Sequence, residues 1–171
     1  MKMGRAAFHM AALVALVGVA GCNYSFKSGS FPPHIRTVAI LPFDNETTRF
    51  ELTQEIHERL LRDLPRALGI TNAGEDVADA IIRGSITRYV LNTPLFRPGQ
   101  NTNQVDVLQR QVTVAIRVEF LDVANNAILW EETNLSVQGQ YLEESESEVD
   151  GRAEAIELMV QRIVDGAQSN W

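Results

Sequence analysis

The chain has 171 residues, with 15 Lys and Arg against 22 Asp and Glu, and its formal net charge is −7. This length is sufficient for one ordinary domain. The acidic balance argues against a nucleic-acid-binding protein, because such proteins need a basic surface to displace counterions from phosphates. The single cysteine, Cys22, excludes a disulfide framework and a zinc site built on several thiolates.

The N-terminal segment has the layout of a secretory signal peptide. Two basic residues precede an uncharged run from Met10 to Ala20, which is too short to cross a hydrocarbon core of about 30 Å. The residues Val-Ala-Gly-Cys at 19–22 are similar to the cleavage site of bacterial lipoproteins. We therefore expect residues 1–21 to be removed and Cys22 to carry the acyl chains of a stable membrane anchor. The alternative is a structural cysteine that follows an ordinary signal.

The mature chain is predicted to contain a tether and one domain. Residues 22–36 include Ser, Gly and two prolines and are typical of an extended linker, whereas residues 37–171 form the domain. Asn23 follows the cysteine, at the position where an aspartate commonly marks retention in the inner membrane. We expect a protein of the outer membrane, lipid-anchored on its periplasmic side.

The first part of the domain predicts a strand followed by a helix. Thr37–Phe43 is β-branched and apolar, as in a buried strand, and Thr48 with Glu51 has the spacing of a helix capping box. Leucine and isoleucine at i+4 spacing then indicate an amphipathic helix. Pro65 is expected to stop or kink this helix at the preceding residue, with Gly69 ending what remains.

Three strands and a second helix are predicted to follow. The strands are Ile81–Leu91, Val112–Phe120 and Ala127–Val137, and the helix is Glu148–Gln168. A change of alternation predicts a bulge near Glu131–Thr133, and residues 92–109, rich in amides, are expected to form a long loop. The expected fold is α+β, with two helices packed on one face of a mostly antiparallel four-stranded sheet in the order β-α-β-β-β-α.

Motifs for catalysis or metal binding are not found in the sequence. It has no phosphate-binding glycine loop and no Gly-x-Ser-x-Gly elbow, and no pair of its three histidines has metal-ligand spacing. The acidic run Glu143–Asp150 is either a calcium-binding segment or, more simply, a solvated stretch that leads into a helix N-terminus. We expect neither an enzyme nor a bound cofactor.

Three arginines lie around the predicted loop, namely Arg88, Arg97 and Arg110. Guanidinium groups match phosphate oxygens bidentately, so these side chains either meet an anionic headgroup or balance nearby carboxylates.

Segments along nearly the whole mature chain match one protein family. They are Gly21–Phe26, Pro32–Val38, Asn45–Thr47, Ala80–Tyr89 and Ser169–Trp171. With these segments the chain resembles the LptE family of lipopolysaccharide-assembly lipoproteins. The resemblance implies two helices on a four-stranded sheet and a role as a plug inside the LptD outer-membrane β-barrel. The family helps this barrel to assemble and helps lipopolysaccharide to reach the outer leaflet.

The same resemblance points to the predicted loop as a contact region. Some members of the family bind lipopolysaccharide through basic loop residues, and residues 92–109 are the candidate contact segment here. Arg97 and Arg110 are therefore the candidates for contact with the barrel or with the glycolipid.

Two other functional classes stay open on the sequence. Other envelope lipoproteins also begin a domain with a strand similar to Val38–Phe43 and an Asn-x-Thr turn, which allows a periplasmic regulator of a cell-wall enzyme. The second class is a subunit of a secretion pore, which would form rings on its own.

Overall fold

A computed structural model describes residues 32–98 and 105–169 as two helices on one face of a mixed sheet. The strands are β1 (Thr37–Ile40), β2 (Asp44–Asn45), β3 (Thr71–Asn72), β4 (Ala80–Pro98), β5 (Val105–Asp122) and β6 (Ala127–Tyr141). The helices are α1 (Glu51–Leu68) and α2 (Glu148–Ser169), and a 3-10 turn covers Glu75–Val77. The expected signal peptide, Cys22 and the first part of the tether lie outside the described residues.

The α+β class and the two helices are confirmed, but the sheet has six strands instead of the predicted four, and it is mixed, with short parallel pairs beside the antiparallel ones. The sheet has six strands in the order β3-β1-β4-β5-β6, with β2 also paired to β4. β1 pairs in parallel with both β3 and β4, and β2 pairs in parallel with β4. β4, β5 and β6 form an antiparallel meander. The parallel pairs arise because the chain returns through α1 before it re-enters the sheet. β2 and β3 have two residues each, which is too short to show a hydrophobic period in the sequence.

Helix α1 buries the predicted stripe and runs through its proline. Leu52, Ile56, Leu60 and Leu64 are fully buried. The helix does not stop at Pro65, which was one of the two predicted outcomes, and α1 continues to Leu68. The predicted end at Gly69 is confirmed, because Gly69 is the C-cap with a left-handed φ of 70°. A proline leaves the carbonyl four residues earlier without its donor. The Asn72 side chain supplies that donor, 2.9 Å from the Leu61 carbonyl oxygen.

The predicted capping box at the start of α1 is also wrong. Phe50 is the N-cap residue and makes no side-chain hydrogen bond there. The polar side chains close the preceding turn instead. Asn45 Oδ1 accepts hydrogen bonds from the backbone N–H and the hydroxyl of Thr47, at 2.9 and 2.8 Å. Asx turns of this kind compete with helix caps for the same residue types.

The long loop predicted at residues 92–109 is largely strand. β4 and β5 pair as far as Pro98 opposite Val105, so that only residues 99–104 separate the two strands, and these lie outside the described residues. β1 and β2 pair with β4 only as far as Ile86, and prolines are tolerated where a strand has a free edge. Because β6 ends at Tyr141 opposite Arg110, the outer part of β4 and β5 extends past β6 as a two-stranded hairpin.

Helix α2 packs closely on β6. An added Cβ at Gly139 would lie 1.8 Å from the Gly151 carbonyl oxygen, so the helix and strand backbones are nearly in contact there. The Glu154 carboxylate accepts a hydrogen bond from the backbone N–H of Gln140, at 2.6 Å, on the outer edge of β6. The predicted bulge in β6 is confirmed, since its register shifts between Glu132 and Leu135.

The core contains the alternating residues of β4, β5 and β6 together with the apolar stripes of both helices. In α2 the buried stripe includes Ala155 and Met159, whereas Ala153 is exposed.

Candidate functional site

The face of the sheet opposite the helices carries many of the polar side chains of the meander. We call it the helix-free face and define it by the alternate residues of β4, β5 and β6 whose side chains point away from α1 and α2. On β5 this set contains Gln111, Thr113, Ala115, Arg117 and Glu119, of which Thr113 and Ala115 are buried among their neighbours, whereas the alternate residues point into the core. The register of the strands then places matching residues of β4 and β6 beside them.

An amide ladder crosses the helix-free face near the hairpin. It consists of Asn92, Gln109, Gln111, Gln138 and Gln140. Gln111 Nε2 donates to Gln138 Oε1 at 2.8 Å, and Gln109 donates to Gln140. Asn92 Nδ2 donates to Thr113 Oγ1 at 2.6 Å. Each primary amide has two donors and one oxygen with two lone pairs, so the ladder keeps hydrogen-bonding capacity for an incoming surface.

The middle of the helix-free face carries an ion pair and a shallow cavity. Arg83 Nε and Nη2 donate to Glu119 Oε2 at 3.0 and 2.9 Å. Arg117 Nη1 donates to the Ser85 hydroxyl at 3.3 Å. These side chains and Asp44 line a cavity of about 270 Å³. The face therefore presents fixed charges and hydrogen-bonding groups.

The two arginines predicted as contact residues lie on the hairpin and at its base. Arg97 is in β4 with Asp106 opposite it in register. Arg110 lies opposite Tyr141, and its guanidinium donates to the Glu143 carboxylate. This hydrogen bond raises the pKa of Arg110 above its ordinary value. Both residues belong to one hairpin, and Arg110 already balances a carboxylate.

Several carboxylates of the acidic run Glu143–Asp150 make hydrogen bonds or ion pairs within the fold. Glu143 pairs with Arg110, and Glu146 accepts the Leu142 backbone N–H at 2.7 Å. Asp150 accepts the backbone N–H and the hydroxyl of Ser147, both at 2.8 Å, and these bonds lower the Asp150 pKa. Within residues 32–98 and 105–169, no group of three or more His, Cys, Asp or Glu side chains is arranged to hold a metal ion.

A buried ionic cluster joins the base of the hairpin to both helices. Arg152 is only 7% exposed, and its Nε and Nη2 donate to the Glu55 carboxylate at 2.7 and 2.9 Å. The Tyr89 hydroxyl of β4 donates to Glu148 Oε1 at 2.6 Å, and Arg49 pairs with the same carboxylate at 2.9 Å. Burial and the bond to Glu148 raise the pKa of Tyr89 to about 12. The cluster fixes β4 where the hairpin begins.

Sequence reasoning missed both the amide ladder and the ionic cluster. A signal for the ladder was present, because Gln109 and Gln111, like Gln138 and Gln140, are two residues apart and so share one face of a strand. Arg152 shows a similar signal, since it lies three to four residues before the buried Ala155 and Ile156 on the apolar stripe of α2.

None of the helices formed by the described residues has the length and apolar character needed to cross a membrane.

Comparison with known proteins gives one family and several related folds. The model of the LptE family, described as lipopolysaccharide-assembly, matches residues 35–166. No curated protein matches the chain in sequence.

Two solved structures illustrate the shared fold. The hypothetical protein CT253 from Chlamydia trachomatis is 14% identical with a TM-score of 0.52, and the match covers 78% of this chain and 98% of that one. A PelC structure from Paraburkholderia phytofirmans, a dodecamer, is 17% identical with a TM-score of 0.50, and the match covers 82% of this chain and 93% of that one. At these identities the likeness concerns the fold alone.

Proposed function

Since the chain belongs to the LptE family of lipopolysaccharide-assembly proteins, we propose that it is an outer-membrane lipoprotein, acylated on Cys22, that plugs and helps assemble an LptD-type β-barrel. The barrel exports lipopolysaccharide to the outer leaflet. The chain acts from the periplasmic side as a non-enzymatic scaffold, without a cofactor.

The observation that carries the proposal is the polar helix-free face. The interior of a large outer-membrane barrel is polar, so a plug must offer it hydrogen bonds and compensated charges. The amide ladder supplies donors and acceptors, and the Arg83–Glu119 pair supplies compensated charge. The hairpin extends beyond β6, which lets it reach farther along the barrel axis than the rest of the sheet.

The arginines of the hairpin are proposed as contacts with the barrel or with the glycolipid. Arg97 lies near the end of β4, and a guanidinium there suits a phosphate or a carboxylate. Arg110 is proposed for the same role through the N–H groups that Glu143 does not engage.

Site-specific photo-crosslinking tests the proposed orientation. A photoreactive residue is introduced at Gln138 on the helix-free face, and the control carries it at Glu58, which is exposed on α1. We expect Gln138 to give an adduct with a large β-barrel and Glu58 to give much less. An adduct at Glu58 with none at Gln138 would contradict the orientation.

A mild-detergent pull-down from native membranes, with a Cys22→Ala control, tests the partnership itself. A β-barrel recovered in equal amount supports the plug. Recovery of a cell-wall enzyme, or of a homo-oligomeric ring without a barrel, would contradict it and favour the regulator or the pore subunit.

A further inference from the structure

Apolar side chains form a row across the helix-free face at the end of the sheet opposite the hairpin. In register, Ile81 lies opposite Leu121, and Leu121 lies opposite Ile128. Ile128 is 52% exposed, although it lies on the same face as the polar groups described above. The next rows toward the hairpin are charged, beginning with the Arg83–Glu119 pair. The apolar row is therefore a separate band on this face.

Two further exposed side chains lie at the same end. Val77 is 75% exposed and Val123 is 47% exposed. The backbone N–H of Val123 donates to the Asp79 carbonyl at 2.9 Å, so the segment that follows the 3-10 turn lies beside the start of β4 and the end of β5. We call Val77, Ile81, Leu121, Val123 and Ile128 the anchor-end patch.

The chain enters the fold at this same end and is held there by two carboxylates. Asp79 Oδ2 accepts the backbone N–H groups of Arg36 and Thr37, both at 2.9 Å. His34 Nε2 lies 2.6 Å from Asp122 Oδ2, and Asp122 is almost fully buried. The N-terminal side of the described chain is thus fixed beside the anchor-end patch.

The distance to the proposed anchor follows from the sequence. Cys22 precedes Pro32, the first described residue, by ten positions. Ten residues span at most about 35 Å when fully extended. A lipid on Cys22 therefore limits the distance between the bilayer surface and the point of chain entry beside the anchor-end patch to about 35 Å, whereas the amide ladder lies at the other end of long strands.

The charges around the patch indicate which lipids it suits. Glu75 and Asp76 immediately precede Val77 and are exposed, and carboxylates are repelled by anionic headgroups. Exposed aliphatic side chains can enter the boundary between headgroups and acyl chains without any basic cluster. Apolar area beside acidic residues therefore fits a zwitterionic membrane surface.

We propose that the anchor-end patch contacts a zwitterionic bilayer surface and determines the orientation of the domain relative to the membrane. This inference rests on the acylation of Cys22 in the proposed function. The contact adds a second attachment point to the lipid, so the domain is oriented as well as tethered.

Fluorescence quenching by lipids tests the contact. The acylated chain carries one new cysteine, Ile128→Cys in the patch or Ser136→Cys as the control, each labelled with the same fluorophore. Ile128 and Ser136 are both exposed on the helix-free side of β6. In phosphatidylcholine vesicles with nitroxide-labelled lipid, we expect the label at 128 to be quenched about twofold more than the label at 136, as for a shallow insertion.

Three outcomes contradict the proposal. Equal quenching at both positions removes the specific contact. A second outcome assigns the patch to the tether instead. In that case lipid does not quench the label at 128, and the cysteine at 128 reacts fully with the fluorophore only when residues 23–31 are deleted. Stronger quenching at 128 when phosphatidylglycerol is added contradicts the zwitterionic preference.

Flotation of the unlabelled chain with vesicles separates the two proposals. If the chain does not float, the proposed acylation of Cys22 is contradicted. The labelled variants are then held on the vesicles by an N-terminal histidine tag and a nickel-chelating lipid in a Cys22→Ser background. The ratio of quenching at 128 to that at 136 still decides whether the patch meets the bilayer.

Discussion

The two faces of the β4–β5–β6 meander use the same strands for opposite purposes. On the helix-covered face, residues such as Ile116 and Phe120 are fully buried against α1 and α2, so they contribute to the stability of the fold. On the helix-free face, Arg117 and the amide ladder keep hydrogen-bonding groups in contact with solvent. The alternation of a strand thus separates side chains that stabilise the fold from side chains that meet solvent, and the two sets can be changed independently.

The largest expected effect on stability is found by comparing two neighbouring residues of β5 that lie on opposite faces of the sheet. Ile116→Ala should lower the free energy of unfolding by about 3 kcal/mol, because it leaves a cavity in a core that cannot fully close around it. Arg117→Ala should change it by no more than about 0.5 kcal/mol, as is usual at exposed positions. Urea unfolding followed by circular dichroism measures both variants. Equal losses would show that the helix-free face also contributes to stability.

An intermediate effect is expected at the ionic cluster, where the helix-covered side meets the base of the hairpin. Arg152→Met should cost about 2 kcal/mol, because it removes the partner of partly buried carboxylates, and partial solvent access to Glu55 limits the loss. Hydrogen exchange should become faster in β4 around Tyr89. Arg62→Met, at an exposed arginine of α1, is the matched control, and similar exchange in both variants would contradict a role in fixing the hairpin.

The smallest effect is expected from acid, at the buried carboxylate of Asp122 at the end of β5. Burial alone raises the pKa of Asp122, but hydrogen bonds from Asn125 and His34 outweigh it, so that the pKa is lowered. A lowered carboxyl pKa contributes stability that is present above the unfolded value and lost as the pH falls through the folded value. Asp122→Asn should therefore flatten the decline of the urea midpoint below about pH 4. Asp76→Asn, at an exposed carboxylate, should leave that decline unchanged.

The sequence alone predicted the elements whose side-chain period is long and regular. The stripe of α1 and the alternation of β5 span several turns or pairs, so both were identified, although β5 begins at Val105 and not at the predicted Val112. The hydrogen bond that accommodates Pro65 inside α1 could not be foreseen, because it joins the Asn72 side chain of another element to the Leu61 carbonyl. Such compensation is a tertiary contact and leaves no local pattern.

The candidate site was predicted in part. Residues 92–109 were predicted as a contact region from their composition and from the family resemblance, and this role stays a prediction. Their amides and prolines suggested a loop where β4 and β5 remain paired. Pairing of that kind is decided by the partner strand, and a single segment does not reveal it. Arg110 was chosen as a candidate because it is a cation. Its hydrogen bond to Glu143 depends on the turn after β6, which brings the two side chains together.

The bond between Glu154 and the Gln140 backbone has a consequence for assembly. β6 is the last strand of the sheet, and an uncovered edge strand is a template on which identical chains can add and aggregate. The carboxylate occupies a donor on that edge and places a negative charge beside it. Any strand that added to β6 there would have to displace this side chain and leave it without its hydrogen bond. α2 therefore protects the sheet against edge-to-edge polymerisation as well as covering its core.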